Sequence, residues 1–164
     1  MIIRPATMSD APEMMSLLNQ IISTGGTTAH QTPFNEARMR DEYITPDHNI
    51  ACQVAEMDGG VVGFQSLVGP DANMKPTRDG WSFIATFVAS NATGKGVGQH
   101  LFAATRAAAN RAGIRYIDAT IRADNVPGLR YYSGLGFVDY DRLVQVPLHD
   151  GTPVDRLRKR YDLS

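Results

Sequence analysis

The chain has 164 residues, 43% hydrophobic and 20% charged, ordinary values for a water-soluble domain that buries roughly two-thirds of its unfolded surface. With 16 basic and 17 acidic residues the net charge is −1, so the broad positive field of a duplex DNA binder is absent and nucleic acid is not an expected partner. No apolar stretch reaches the roughly 20 residues that cross a bilayer, and the lone Cys52 has no partner for an internal disulfide.

Cys52 also lacks His, Asp or Glu at ligand spacing, so it reads as buried filler and no metal is expected. MIIRPATMSD lacks the apolar core of a secretory signal, which places the expected protein in the cytoplasm. Residues 2–5 form a short apolar start. Asp10-x-x-Glu13 resembles a capping box and opens a helix predicted over 11–22. The Gly- and Thr-rich stretch 23–34 is a loop, and NEARMRDEYI is a second, short helix stopped by Pro46. IACQVAE and VVGFQSL flank Met57-Asp58-Gly59-Gly60, the pattern of a β-hairpin. GPDANMKPTRDG interrupts the pattern before a strand over 81–90.

Gly94, Gly96 and Gly98 then open a helix along which Val97, Leu101, Ala104, Thr105, Ala108 and Ala112 recur, with Gly113 placed as its C′ residue. RYIDATI is a strand, VPGLRYYSGL a short helix capped by Asn125, and FVDYDRLVQV a strand leading to a last hairpin at His149-Asp150-Gly151. In VDRLRKRYDL, Leu157, Tyr161 and Leu163 alternate against Arg156, Arg158 and Arg160, a pattern read as a solvated strand face in preference to an anion site. The order β α α β β β α β α β β, without repeat or linker, implies one α/β domain over 1–164 with helices on both faces of a mixed sheet.

Strand, glycine turn and helix together make a phosphate cradle, because a helix N-terminus presents unpaired N–H groups and partial positive charge. The dinucleotide fingerprint fails at Gln99, where it needs glycine, although Asp118 lies about 20 residues downstream. The Walker pattern fails because Gly96 follows Lys95. A plain tight turn remains the alternative.

The two segments Thr93-Gly94-Lys95-Gly96-Val97-Gly98 and Asn125, Tyr132, Gly136-Phe137 resemble the pyrophosphate loop and the later helix of the GNAT N-acetyltransferase superfamily. The likeness spans nearly the whole chain and lies closest to the phosphinothricin-type small-molecule branch, with Thr93 standing where the family usually has Gln or Arg. It implies a mostly antiparallel sheet of about seven strands, splayed between strands 4 and 5, with about four helices. Acetyl-CoA would set its pyrophosphate on the amides of Lys95, Gly96, Val97, Gly98 and Gln99, with Asn125 nearby. Phe87 and Val88 would pair with the pantetheine arm through their backbones, and the Val88 N–H would polarise the thioester carbonyl. Tyr132 would be the acid that protonates the departing thiolate, against its alternative as a core aromatic beside Leu129 and Leu135. Family members are often dimers, which implies a homodimer.

A base is not visible: residues 81–90 hold no carboxylate or histidine, Ser82 and Thr86 could hold a water, and His30, Glu36 and Asp118 each have a structural alternative. The loop 25–30 is neutral apart from His30 and suits a small amine acceptor such as an amino acid or its analogue. With no nucleophile near the cofactor motifs, direct transfer in a ternary complex is expected. The rivals are a non-catalytic CoA-binding module and a nucleotide-dependent oxidoreductase.

Overall fold

Alternating apolar residues and glycine turns resolve into one sheet of seven strands in a computed structural model that describes residues 1–70 and 79–163. The strands are β1 (Ile2–Pro5), β2 (Asn49–Met57), β3 (Gly60–Val68), β4 (Trp81–Val88), β5 (Tyr116–Arg122), β6 (Val138–Pro147) and β7 (Pro153–Asp162). Their order is β1-β2-β3-β4-β5-β7-β6, with every pairing antiparallel except β4 to β5. The helices are α1 (Ala11–Thr24), α2 (Glu36–Met39), α3 (Val97–Arg111) and α4 (Val126–Leu135). The predicted break at GPDANMKPTRDG lies largely in 71–78, outside the described residues.

Strand periodicity of two sorts the core onto two faces. Cys52, Val54 and Phe64 pack with Met14, Leu18, Met39 and Tyr43 under α1 and α2. Leu67, Ile84, Ile117, Ala119 and Ile121 face the other way, against Phe102 and Ala109 of α3 and Tyr132 of α4. Phe64, Leu67 and Ile117 are wholly buried, each contributing about 1.5–3 kcal/mol by leaving water. Cys52 is buried filler, as expected, and burial pushes its thiol up to about 12.

Several boundaries differ from expectation for local reasons. Helix α1 runs two residues further, to Thr24, because Gly25 at φ 74° provides the left-handed stop and returns its N–H to Ile21 O at 3.0 Å. The capping box at Asp10-x-x-Glu13 does not form. The Asp10 carboxylate instead accepts from Arg4 and from the Thr7 N–H, while Glu13 reaches the β2–β3 hairpin and accepts from the Val61 N–H at 2.8 Å. The second helix keeps α geometry for one turn and widens to a π turn over Arg40–Ile44, closed by Thr45 N–H to Arg40 O at 2.8 Å. Strand β4 stops at Val88, after which Ser90–Ala92 makes a single 3-10 turn.

The basic run on β7 is not a solvated face. Arg158 and Lys159 are buried on opposite sides of the strand, because β6 continues the sheet beyond β7 and covers it. Lys159 reaches Asp139 at 2.5 Å and Ser133 at 2.9 Å, and Arg158 reaches Asp118 at 3.1 Å.

The feature that positions the site is the short contact between β4 and β5. Only Trp81, Ser82 and Phe83 pair with Tyr116, Ile117 and Asp118. Beyond them β4 stays with β3 as far as Val88 opposite Gly63, and β5 stays with β7 as far as Arg122 opposite Arg156. The strands therefore part, and residues 84–88 of β4 have an edge that β5 does not pair.

Candidate active site

A cavity of about 1320 Å³ opens at that parting, lined by residues 86–90 of β4 and the turn after it, by Thr93, Gly94, Gly96, Val97, Gly98 and Gln99, and by Asn125, Tyr131 and Tyr132. Backbone direction along β4 decides what it offers. The Ala89 N–H bonds to Val62 O at 2.8 Å, so by alternation the Phe87 N–H and C=O also face β3, while those of Thr86 and Val88 face the parted side. Val88 therefore presents a free N–H and C=O to the cavity. Phe87 does not, and its expected backbone pairing there is corrected; it contributes its ring to the wall.

The glycine turn is built as a cradle. Gly94 and Gly96 sit at φ 77° and 79°, in the left-handed region that glycine enters without penalty, and Gly96 is the N-cap of α3. The first helical bond is His100 N–H to Gly96 O at 3.1 Å, which leaves the N–H groups of Val97, Gly98 and Gln99 without helical acceptors. Gly98 has a further reason to be glycine: a Cβ there would lie 2.4 Å from Cε1 of Tyr131. Lys95 is exposed and does not line the cavity. Thr93 lines it and donates its hydroxyl to Ser90 O at 3.0 Å.

Asn125 takes two parts. Its Oδ1 accepts from the Gly128 N–H at 3.0 Å, capping α4, and its Nδ2 donates to Thr27 O at 3.1 Å across the cleft. Arg122 adds a second tie, donating to Thr28 O at 3.0 Å, so the loop after α1 is fastened to the far half of the sheet.

Tyr132 is buried, packed 5.1 Å from the Phe137 ring, yet its hydroxyl reaches the cavity end of β4 and bonds Thr86 Oγ1 at 2.8 Å. It is the core aromatic expected as the alternative, and its hydroxyl stands where the expected acid would act. Burial pushes its pKa well above the usual tyrosine value, so it stays protonated and able to donate. The sequence did not point to the rest of this network. Gln65, wholly buried on β3, donates to Thr86 Oγ1 at 2.9 Å and to the Tyr131 hydroxyl at 3.1 Å, and Tyr131 donates to Gly98 O at 2.7 Å.

The expected water site at Ser82 is absent, since that hydroxyl is buried and donates to Tyr116 O at 3.0 Å. Of the three base candidates, Glu36 accepts from Arg40 at 3.0 Å at an exposed helix end. Asp118 is consumed by Arg158, Thr120 and the Tyr140 hydroxyl. His30 alone touches a cavity residue, its ring 6.4 Å from that of Phe87, and it bonds the Tyr43 hydroxyl at 2.7 Å. Burial lowers its pKa, which keeps the imidazole neutral. No group of three or more His, Cys, Asp or Glu among the described residues could hold a metal ion, and no helix among them is long and apolar enough to cross a membrane.

The same architecture recurs in solved acetyltransferases. Ribosomal-protein-alanine N-acetyltransferase from Brucella melitensis is 27% identical, with a TM-score of 0.84 over 99% of each chain. A phosphinothricin acetyltransferase from Sinorhizobium meliloti, solved in complex with AcCoA, is 22% identical with a TM-score of 0.85 over 99% of this chain and 88% of that one. An N-acetyltransferase from Staphylococcus aureus Mu50 is 20% identical with a TM-score of 0.86 over 99% and 98%. No curated protein matches by sequence. Residues 15–137 match the model of the acetyltransferase (GNAT) family, and the chain belongs to that family.

Proposed function

We propose that the protein transfers an acetyl group from acetyl-CoA directly to the primary amine of a small molecule, an amino acid or related amine, in the manner of the phosphinothricin-type branch. The observation that carries this is the coincidence, in one cavity, of the free Val88 N–H, the Tyr132 hydroxyl and the glycine-capped start of α3. The residues fit the donor. Gly94 and Gly96 leave the turn without side chains, and the amides of Val97, Gly98 and Gln99 provide donors for a pyrophosphate. Acetyl-CoA supplies an activated thioester; the protein supplies position and protons.

With acetyl-CoA bound, the Val88 N–H would donate to the thioester carbonyl, where negative charge develops, and one preorganised donor is worth roughly 3 kcal/mol there. Tyr132, held protonated by burial, would donate to the departing sulfur, and the proton lost by the amine would pass to solvent through the cleft, since no carboxylate or histidine among the described residues lines the cavity. Cys52 is buried with a raised pKa, so an acyl-cysteine is disfavoured and transfer is direct. The loop fastened by Arg122 and Asn125 narrows the acceptor side, which supports a compact amine.

Thiol release from acetyl-CoA with a panel of free amino acids, simple amines and an alanine-terminated peptide tests this. Turnover of a free amine is expected. Turnover of the peptide alone would overturn the small-molecule part, and CoA binding without turnover of any acceptor would identify a non-catalytic binding module.

A further inference from the structure

On the face of β7 that carries Arg156, Arg158 and Arg160, the β5 register sets Arg122 opposite Arg156, Thr120 opposite Arg158 and Asp118 opposite Arg160. Three of these four cations have a carboxylate beside them. Arg158 is bonded to Asp118 at 3.1 Å and Arg160 is paired with Asp162 at 2.9 Å. Arg122 grips Asp124 at 2.8 Å through one nitrogen and Thr28 O at 3.0 Å through another.

Arg156 differs. Nε is buried without a hydrogen-bond partner in both Arg156 and Arg160, but Arg160 has the Asp162 carboxylate 2.9 Å away, whereas Arg156 pairs with no carboxylate among the described residues. A guanidinium has five N–H donors in a rigid fork, and a donor removed from water without an acceptor costs free energy. Its cross-strand neighbour is a second guanidinium. Burial first, and the Arg122 charge next, hold the Arg156 pKa below its usual value. Arg122, Arg156 and Asp124 together leave one positive charge without a partner.

The position of this charge gives it meaning. Arg122 fastens the loop at Thr28, and the ring of His30, two residues on, lies 6.4 Å from Phe87 on the cavity wall; burial, then the Glu42 and Arg38 charges, and last the Arg156 charge act on that imidazole. Phe87 and the Arg122–Arg156 pair stand on the two half-sheets just beyond the point where β4 and β5 part. Both lie on the sheet face covered by α1 and α2, opposite the face packed on α3. Arg156 stands outside the ring of residues that line the cavity, so an acceptor reaching past Phe87 on this face would meet a guanidinium with no carboxylate beside it.

We propose that Arg156, with Arg122 behind it, receives a carboxylate of the acceptor, so that the enzyme selects amines that also carry an acidic group. The proposal rests on the acetyltransferase reading of the cleft and narrows its substrate class. A free amino acid offers the carboxylate; a peptide N-terminus offers an amide carbonyl in its place and leaves the fork unsatisfied. Charge-assisted, bidentate bonds are the strongest a side chain forms, and their loss lowers affinity by about 10- to 100-fold.

The test compares free L-amino acids with their α-amides, using thiol release from acetyl-CoA. The wild type is expected to favour the best acid over its amide about 10- to 100-fold in kcat/KM, through KM. Arg156→Gln should collapse that acid-to-amide ratio, and Arg156→Lys should restore part of it, as a point charge without the fork. A wild type without acid preference, or an Arg156→Gln ratio equal to that of the wild type, overturns the proposal. Circular dichroism checks the fold, and if Arg156→Gln does not fold, Arg156→Lys decides by the same ratio. If no amine is acetylated, the transferase reading fails on its own, and calorimetry of the same acids against CoA-saturated protein decides the site. Binding lost in Arg156→Gln supports it, and no binding to the wild type overturns it.

Discussion

The Tyr132 hydroxyl is held in place by side chains of two strands. Thr86 Oγ1 shares a 2.8 Å hydrogen bond with it, in which either hydroxyl can donate, and Gln65 donates to the same Thr86 Oγ1 at 2.9 Å, so the phenol is fixed at the cavity end of β4. Tyr132→Phe should therefore lower kcat by about 100-fold, the usual scale of a lost general acid, while calorimetry finds CoA affinity within about threefold of wild type. Unchanged turnover would remove Tyr132 from the chemistry. Thr86→Val, which deletes the orienting hydroxyl and retains the shape, should lower kcat by about 10-fold, with Thr86→Ser recovering most of it. If Thr86→Ser is no better than Thr86→Val, packing and not orientation is what Thr86 provides. Neither role could be read from the strand pattern, because Gln65, Thr86 and Tyr132 meet only when β3, β4 and α4 assemble.

At the start of α3, local rules were legible and non-local ones were not. Gly94 and Gly96 could be read as a cradle because a left-handed backbone at 77° and 79° asks for glycine wherever it occurs. Asn125 was likewise legible as a cap, since its acceptor duty is met three residues later at Gly128. Gly98 was read as part of the same cradle, but the ring that excludes a Cβ there belongs to Tyr131, far along the chain. Phe87 shows the same gap: which edge of β4 its N–H faces depends on β3. For the same reason Gly98→Ala should act through packing. Its Cβ would force the Tyr131 ring away and break the 2.7 Å bond to Gly98 O, a destabilisation of about 1–3 kcal/mol in urea titration, accompanied by a higher KM for acetyl-CoA. A Gly98→Ala protein as stable as wild type would show that the α3–α4 contact is loose.

Across the whole molecule, two ion networks, one part-buried and one buried, hold the halves of the parted sheet, and they predict different responses. On the first half, Arg4 joins Asp10 at 2.8 Å and Glu56 at 2.5 Å, tying β1 to β2 and to the turn before α1. Arg4 is the main cause that holds the Asp10 carboxyl down at about 2, below its usual 3.8. A lowered carboxylate stabilises fully above its unfolded value and loses that contribution as pH falls through the folded one, so on the order of 2 kcal/mol should vanish between about pH 4 and pH 2. Asp10→Asn should be less stable at pH 7 and flatter in that window; identical acid profiles would exclude Asp10 as the cause. On the second half, Asp118 is the hub that binds Arg158 of β7, Tyr140 of β6 and Thr120 of its own strand. The sequence offered Asp118 both as a candidate base and as a satisfied strand residue, and only the register of β5, β7 and β6 distinguishes them, by surrounding its carboxylate with donors at 1% exposure. Removing one partner of a buried pair costs about 3–5 kcal/mol, so Asp118→Asn should lower Tm by about 10 °C. Below that transition, kcat should stay within about threefold of wild type, because the side chain touches no cavity-lining residue through its bonds. The opposite outcome, an unchanged Tm with turnover lost, would make Asp118 the missing base and its network a catalytic relay.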